Sequence, residues 1–254
     1  MAVNSRIDPM LTQKKTASTP VVLITGAARR IGAAMAQHLH SAGYRVAIHC
    51  HRSQAEAVAL VRRMNALRQD SAKAFTADLC KPNAPQQLVQ DTLTWAGRID
   101  LLVNNASLFS RQETDWGPMF ALHVRTPFQL SHAAYPALAI TIGSIINITD
   151  IHAEKPLKNY AMYCQSKAAL NLQTKALALE FAPLVRVNAV APGAILWPEN
   201  DNALTEEKQQ QIIAKTPLKR HGNPVFIAKA VLALVDNPFI TGQILAVDGG
   251  RSLL

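Results

Sequence analysis

The stretch VVLITGAARRIGAAMAQHLHSAGY, residues 21–44, limits the possible folds more than any other part of the chain. Val21 to Thr25 form a short apolar, β-branched run without alternation, the pattern of a strand buried on both faces. A glycine turn follows, then an apolar-periodic helix that ends near Gly43, a suitable C′ glycine. A doubly buried strand leading into a helix predicts a parallel sheet, because parallel neighbours need a covering crossover. The same order suits a dinucleotide, since the N–H groups that open a helix face a pyrophosphate. Gly26 allows the tight turn, Gly32 allows close helix–strand approach, and Arg30 and Ile31 lie between them as further candidate cofactor contacts.

The alternation continues. Tyr44 to Ser53 reads as a second strand before a helix from about Gln54, and SAKAFTADL as a third strand ending at Asp78 and Leu79. A helix from about Ala84 to Trp95 precedes a fourth buried strand, Leu101 to Val103, which runs into Asn104, Asn105, Ala106 and Ser107. One helical stretch is expected from Trp116 to Ala139, a fifth strand from Ser144 to Thr149, and a long amphipathic helix from Tyr160 to Phe181. LVRVNAVAPG is a sixth strand ending in Pro192 and Gly193, and a helix from Pro224 to Val235 with a strand from Gln243 to Val247 closes the series. The pattern predicts an α/β fold, a single-domain, Rossmann-like doubly wound parallel sheet of about seven strands with helices on both faces. Residues 1–19 read as a polar extension and 20–254 as the domain.

Regularity lapses at AILWPENDNALTEEKQQQIIAK, residues 194–215, which begins at the carboxyl edge of the sixth strand. Ligands bind at that edge in open α/β sheets, so the segment reads as a substrate lid or else as a surface excursion. A short helix from Thr205 to Ala214 is expected within it, with Thr205 as N-cap and acidic residues in the first turn.

Composition removes several classes. No apolar run approaches the roughly 20 residues of a membrane span, and the first 20 residues lack a signal-peptide core. Cys50, Cys80 and Cys164 are odd in number and have no metal-ligand spacing, which reads as reduced thiols in a cytoplasmic protein without a metal site. The net charge of +9 raises the question of nucleic acid, but the basic residues are scattered and no aromatic-interleaved patch gathers them. A phosphorylated cofactor and an anionic substrate would benefit from the same positive field. At the end of the second strand an Asp or Glu would bind a ribose 2′-hydroxyl, but this chain has His51, Arg52 and Ser53. A guanidinium and a hydroxyl there suit a 2′-phosphate, and Arg30 adds positive charge nearby, so NADPH is expected over NADH. A solvated strand-end arginine is the other reading of Arg52.

Tyr163 and Lys167 stand four residues apart at the start of the long helix, hence on one helix face. An ammonium near a phenol favours phenolate and is expected to lower the tyrosine pKa from about 10. Asp150 lies thirteen residues before Tyr163, as a proton-handling group or as a cap on the following loop.

Over residues 20–254 the chain resembles the short-chain dehydrogenase/reductase family, on Thr25-Gly26, Ala77-Asp78-Leu79, Asn104-Asn105-Ala106, Tyr163 with Lys167, Pro192-Gly193 and ITGQILAVDGG. The resemblance implies that Asp78 and Leu79 hold adenine and that Asn105, Ala106 and Ser107 line the cofactor, with Pro192 and Gly193 beside it. It implies that Tyr163 donates the proton and Lys167 binds the nicotinamide ribose. The departures resemble the pteridine reductase branch: Arg30 replaces the middle glycine of the turn, Ser107 and Phe109 follow the NNA motif, and Asp150 replaces the usual serine. His123 falls where the family has an asparagine, with a charge expected to follow pH, and Trp197 falls near the missing PGxxxT threonine. A pterin between Phe109 and nicotinamide, held by Arg30, Ser107, Asp150, Tyr163 and Trp197, is the expected substrate. Biopterin, dihydrobiopterin, dihydrofolate or a monapterin-type pterin would qualify. A 3-oxoacyl-thioester or other carbonyl reductase and a non-catalytic NADPH sensor remain open. The family is usually tetrameric, and the stripe of Ala168, Leu172 and Leu179 is either interface or core.

Overall fold

The computed structural model describes residues 19–110, 116–199 and 202–254. Most of the expected extension therefore lies outside the described residues, as do two residues of the expected lid. Seven parallel strands are arranged β3-β2-β1-β4-β5-β6-β7. They are β1 (Val21–Ile24), β2 (Arg45–Cys50), β3 (Ala72–Thr76), β4 (Leu101–Asn104), β5 (Ser144–Ile148), β6 (Arg186–Pro192) and β7 (Ile244–Val247). The order reverses between β1 and β4, which opens a crevice at the carboxyl ends of those strands.

Successive strand side chains point to opposite faces, and the unbroken apolar runs fill both. Val22, Ile24, Val46, Ile48 and Val103 join Met35, Leu39, Leu60, Ile227 and Val231 from α1 (Arg30–Ser41), α2 (Gln54–Leu67) and α8 (Pro224–Asp236). Leu23, Ala47, Leu102 and Ile145 join Leu88, Leu130, Leu138, Leu177 and Phe181 on the other face. These come from α3 (Ala84–Ala96), α5 (Thr126–Thr141) and α6 (Ala161–Phe181). This is the doubly wound, Rossmann-like sheet that the alternation predicts.

The strands are shorter than the apolar patterns suggest. β2 ends at Cys50 where its ladder with β3 ends, so His51, Arg52 and Ser53 lie in the bend before α2. β3 stops at Thr76, and Asp78 turns the chain by accepting Cys80 N–H at 3.1 Å. The expected helix from Trp116 to Ala139 is interrupted: α4 (Gly117–Phe120) passes through a π-helical turn, Ala121–Arg125, into α5. Pro127 has no N–H for the carbonyl four residues back, and such bulges often accompany functional sites. The lid helix α7 is Glu206–Lys215, with the Thr205 side chain accepting Lys208 N–H at 3.4 Å. On α6, Leu172 and Leu179 are 69% and 83% exposed, so those two are not core. No helix among the described residues is long and apolar enough to cross a membrane.

Candidate active site

The crevice at the carboxyl ends of β1, β4 and β5 gathers most of the motifs. Its first part is the glycine turn. Gly26 has φ +63°, and a Cβ there would lie 3.0 Å from Ala106 Cα. A Cβ at Gly32 would lie 2.2 Å from Gly26 O, so only glycine lets α1 start this close to the turn. Thr25 Oγ1 accepts the N–H groups of Asn105 and Ala106 at 2.9 and 3.0 Å. Asn105 Nδ2 donates to the carbonyls of Thr25 and Gly26 at 2.9 and 3.0 Å. The Asn105 amide thus braces the turn, where the resemblance implied that it lines a cofactor.

A second brace was not foreseen from the sequence. His49, buried on β2, accepts Gly26 N–H on Nδ1 at 3.2 Å, which leaves Nε2 to donate to Ala77 O at 3.1 Å. Burial lowers its pKa to about 4, a backbone hydrogen bond opposing and His51 adding to the effect, so the ring is neutral. A histidine inside a two-face apolar run was the available signal.

The turn, the start of α1 and the basic bend after β2 fit a phosphorylated dinucleotide. The glycine cradle is occupied by nothing that a side chain would bring, and His51 and Arg52 are exposed beside the α2 start. Leu79 differs from expectation: its side chain is 3% exposed and packs in the core, so only its backbone can meet a ligand. Arg30 takes φ +54° at the helix start, the left-handed region that a glycine would occupy without strain. Its guanidinium bonds the lid: Nη1 pairs with Glu199 and Nη2 donates to Trp197 O at 2.9 Å. Arg29 pairs with the same carboxylate at 2.8 Å.

The second part is Asp150, Tyr163 and Lys167. Asp150 Oδ1 accepts His152 N–H at 2.8 Å, capping a short 3-10 turn, while Oδ2 accepts Tyr163 O–H at 2.7 Å. Asp150 therefore is the cap that one reading expected, and it also touches the Tyr163 hydroxyl. Lys167 Nζ donates to Ile148 O at 3.0 Å and lies 5.8 Å from the Tyr163 ring centroid. The expected lowering of the tyrosine pKa does not occur. Burial, then the Asp150 charge and its hydrogen bond, hold the Tyr163 phenol well above its ordinary value. Burial pulls Lys167 down to about 8, with Asp150 opposing. Tyr163 is a neutral phenol with its proton directed at a carboxylate.

Phe109 is already engaged by aromatic neighbours: Tyr160 stacks on one of its faces at 4.5 Å, and Tyr163 packs on it in a T-shaped arrangement at 5.0 Å. The lid residue Asn202 joins this cluster, donating to Phe109 O at 2.8 Å and accepting Tyr160 O–H at 3.0 Å. Sequence reading missed Asn202, whose role depends on chain folding back over 93 residues. Trp197 packs on His221 at 4.5 Å rather than toward Tyr163. A cavity of about 430 Å³ behind the lid is lined by Ile195, His221, Phe226 and Asp248 among others, and by none of Asp150, Tyr163 or Lys167. Pro192 ends β6, and a Cβ at Gly193 would meet Asp248 at 2.6 Å, which places these two where the chain leaves the sheet for residues 194–215. His123 is buried in the π-helical turn and held neutral, its pKa pushed down to about 2 by burial and Lys167, so its charge does not follow pH near neutrality.

Comparison with known proteins agrees with this geometry. The family model described as Enoyl-(Acyl carrier protein) reductase matches residues 26–252. Pteridine reductase 1 of Leishmania tarentolae is 32% identical, over 93% of this chain and 97% of that protein. The 3-oxoacyl-(acyl-carrier-protein) reductase FabG of Staphylococcus epidermidis is 33% identical, over 90% and 97%. Among solved structures, FolM Alternative dihydrofolate reductase 1 from Brucella canis complexed with NADP superposes with a TM-score of 0.83 at 37% identity, covering 92% of this chain and 95% of that one. On the family-model match over residues 26–252, these relatives and a seven-stranded parallel sheet, the chain belongs to the short-chain dehydrogenase/reductase family of oxidoreductases.

Proposed function

We propose that this protein is an NADPH-dependent reductase of pterins, and that the 2.7 Å hydrogen bond from Tyr163 to Asp150 is the observation that carries the reading. A substrate atom bound on the same phenol oxygen would sit about 4–5 Å from the carboxylate. Reducing a ketone develops negative charge on that atom, which a carboxylate at such a distance opposes by roughly 3–4 kcal/mol at an effective dielectric of about 20. Reducing a ring C=N instead calls for positive charge on nitrogen, which the same carboxylate favours. When bound, NADPH supplies the hydride to the ring carbon. Tyr163 turns its hydroxyl from Asp150 and gives the proton to the ring nitrogen, and a proton taken from solvent and relayed by Asp150 then restores the phenol.

His51, Arg52 and Ser53 would receive the 2′-phosphate. The Gly26–Gly32 turn with Ile31 would take the pyrophosphate, Asp78 and the Leu79 backbone the adenine, and Ala106, Pro192 and Gly193 the nicotinamide side. Lys167 would hold the ribose. Phe109, Ser107, Arg30 and Trp197 would border the substrate, the last two after the lid has moved. The similarity to FolM Alternative dihydrofolate reductase 1 complexed with NADP and to pteridine reductase 1 supports this assignment. The FabG relative supports the alternative, a 3-oxoacyl-thioester reductase, to a similar degree of identity.

The discriminating experiment follows NADPH oxidation with biopterin, dihydrobiopterin, dihydrofolate and an acetoacetyl thioester. Turnover of the pterins is expected. Turnover of the thioester alone would sink the proposal, and tight NADPH binding without turnover of any of them would point to a sensor.

A further inference from the structure

We infer that His123 is a positioning residue that makes Ser107 a hydrogen-bond acceptor only, so that the site selects a ligand presenting an N–H or NH2 edge. The inference deepens the pterin reading by naming what part of the substrate Ser107 recognises, and it rests on that reading only for the identity of the edge.

The tautomer follows from the neighbours. His123 Nδ1 lies 2.8 Å from Ser166 Oγ, and that hydroxyl donates its single proton to Tyr163 O at 2.7 Å. Nδ1 must then carry the ring hydrogen and donate to Ser166. On the other side Leu108 N–H donates to His123 Nε2 at 2.9 Å, which requires a bare lone pair there. Two independent contacts thus give the same form, a neutral ring protonated on Nδ1. Burial and the Lys167 ammonium hold the ring in that neutral form.

Ser107 Oγ also lies 2.9 Å from Nε2, and 3.4 Å from Leu108 O. Nε2 has one in-plane lone pair, which Leu108 N–H and the Ser107 hydroxyl share, and Leu108 O is the other inward acceptor, so a hydroxyl proton turned to either leaves the Ser107 lone pairs outward. A free serine offers one donor and two acceptor positions, but this one presents only lone pairs outward, on an exposed residue directly after the NNA motif. A lactam N–H or an exocyclic amine satisfies it. A thioester or ketone carbonyl brings a second acceptor and leaves both unpaired, the costly arrangement in a desolvated site. His123 also ties the Ser107–Phe109 segment to α6, the helix that bears Tyr163 and Lys167, so ligand recognition and proton transfer share one anchor.

Two measurements test this. In the NADPH-saturated full chain, 15N NMR of the His123 ring should show a protonated Nδ1 and an unprotonated Nε2 from about pH 5 to 8. An Nε2–H tautomer, or protonation within that range, overturns the inference without involving any substrate. For kinetics, His123→Leu should raise KM for dihydrobiopterin about 10-fold with little change in kcat, and should lower KM for an acetoacetyl thioester because Ser107 regains its proton for a carbonyl. His123→Gln, which restores an acceptor, should recover most of the pterin KM, and Ser107→Ala should cost less on the His123→Leu background than in the wild type. A general lesion would instead raise both KM values together, and independent multiplication of the two losses would equally contradict the assignment. Absence of pterin turnover in the wild type overturns the pterin reading, whereas the wrong tautomer overturns the role of His123.

Discussion

At the residue scale, the Tyr163 phenol is the group on which the proposed chemistry turns. Its proton is directed at Asp150 and its environment opposes ionisation. General acid catalysis is worth about 100- to 10,000-fold, so Tyr163→Phe should lower kcat by that order while NADPH affinity, measured by fluorescence titration, changes less than about twofold. Wild-type turnover in that variant would move the proton source elsewhere. The Tyr163/Lys167 spacing, the glycine turn and Asp150 could all be read from the sequence, because each rests on local spacing or a motif. The direction of the tyrosine shift could not. It depends first on how deeply the phenol is buried and then on Asp150 at 2.7 Å, while the Lys167 ammonium donates to Ile148 O.

At the element scale, the lid is held by charge and by few apolar contacts. α7 buries no side chain, and the segment before it is pinned by Glu199 to Arg29 and Arg30. These two arginines belong to the turn that would meet the cofactor phosphates, so Glu199 occupies the place of an anion. Exposed ion pairs contribute about 0–1 kcal/mol, so Glu199→Gln should tighten NADPH binding by at most about fivefold, an effect that calorimetry should find reduced at high salt. Weaker binding in that variant would mean that Glu199 organises the arginines for the cofactor instead of competing with it. The irregular segment after β6 and its Thr205 cap could be read from lapsed periodicity and cap chemistry. Its docking partners could not, since Asn202 and Glu199 reach residues 93 and 170 positions away, respectively. The π-helical turn was equally hidden, because an apolar period of 3.6 looks the same on either side of one inserted residue.

At the scale of the whole molecule, two buried neutral histidines make the fold sensitive to acid. His49 is lowered to about 4 and His123 to about 2 from an ordinary 6.5, so the unfolded chain binds more protons as pH falls below 6.5. Stability is therefore full above that value and is lost as pH drops toward 4, by about 3 kcal/mol for each ring at pH 4. That sum is comparable with the whole stability of many domains. The urea midpoint should fall continuously from pH 6.5 to 4, and His49→Gln should reduce the slope by roughly half. A midpoint that ignores pH in this window would contradict the neutral assignment.

We also propose a homotetramer, supported by the exposure of Leu172, Leu179, Phe128 and Ile140 on α5 and α6. Sedimentation should give a smaller species for Leu172→Glu with Leu179→Glu than for the wild type, and equal masses would place the interface elsewhere. The doubly wound parallel sheet of about seven strands was legible because strand and helix patterns alternate along the chain, whereas the strand order became visible only in the structure. Strand ends were less so, since the apolar runs continue into turns such as Asp78, where side-chain caps replace the ladder.

The central claim is that the Asp150 carboxylate on Tyr163 sets the preference for C=N over C=O. The most direct measurement is the ratio of kcat/KM for dihydrobiopterin to that for an acetoacetyl thioester, in the wild type and in Asp150→Ser. A charge effect of roughly 3–4 kcal/mol corresponds to about 100- to 1,000-fold. The wild-type ratio should favour the pterin, and Asp150→Ser should shift it toward the thioester by a factor of that order. A ratio that Asp150→Ser leaves unchanged, or a wild type that favours the thioester, would contradict the account.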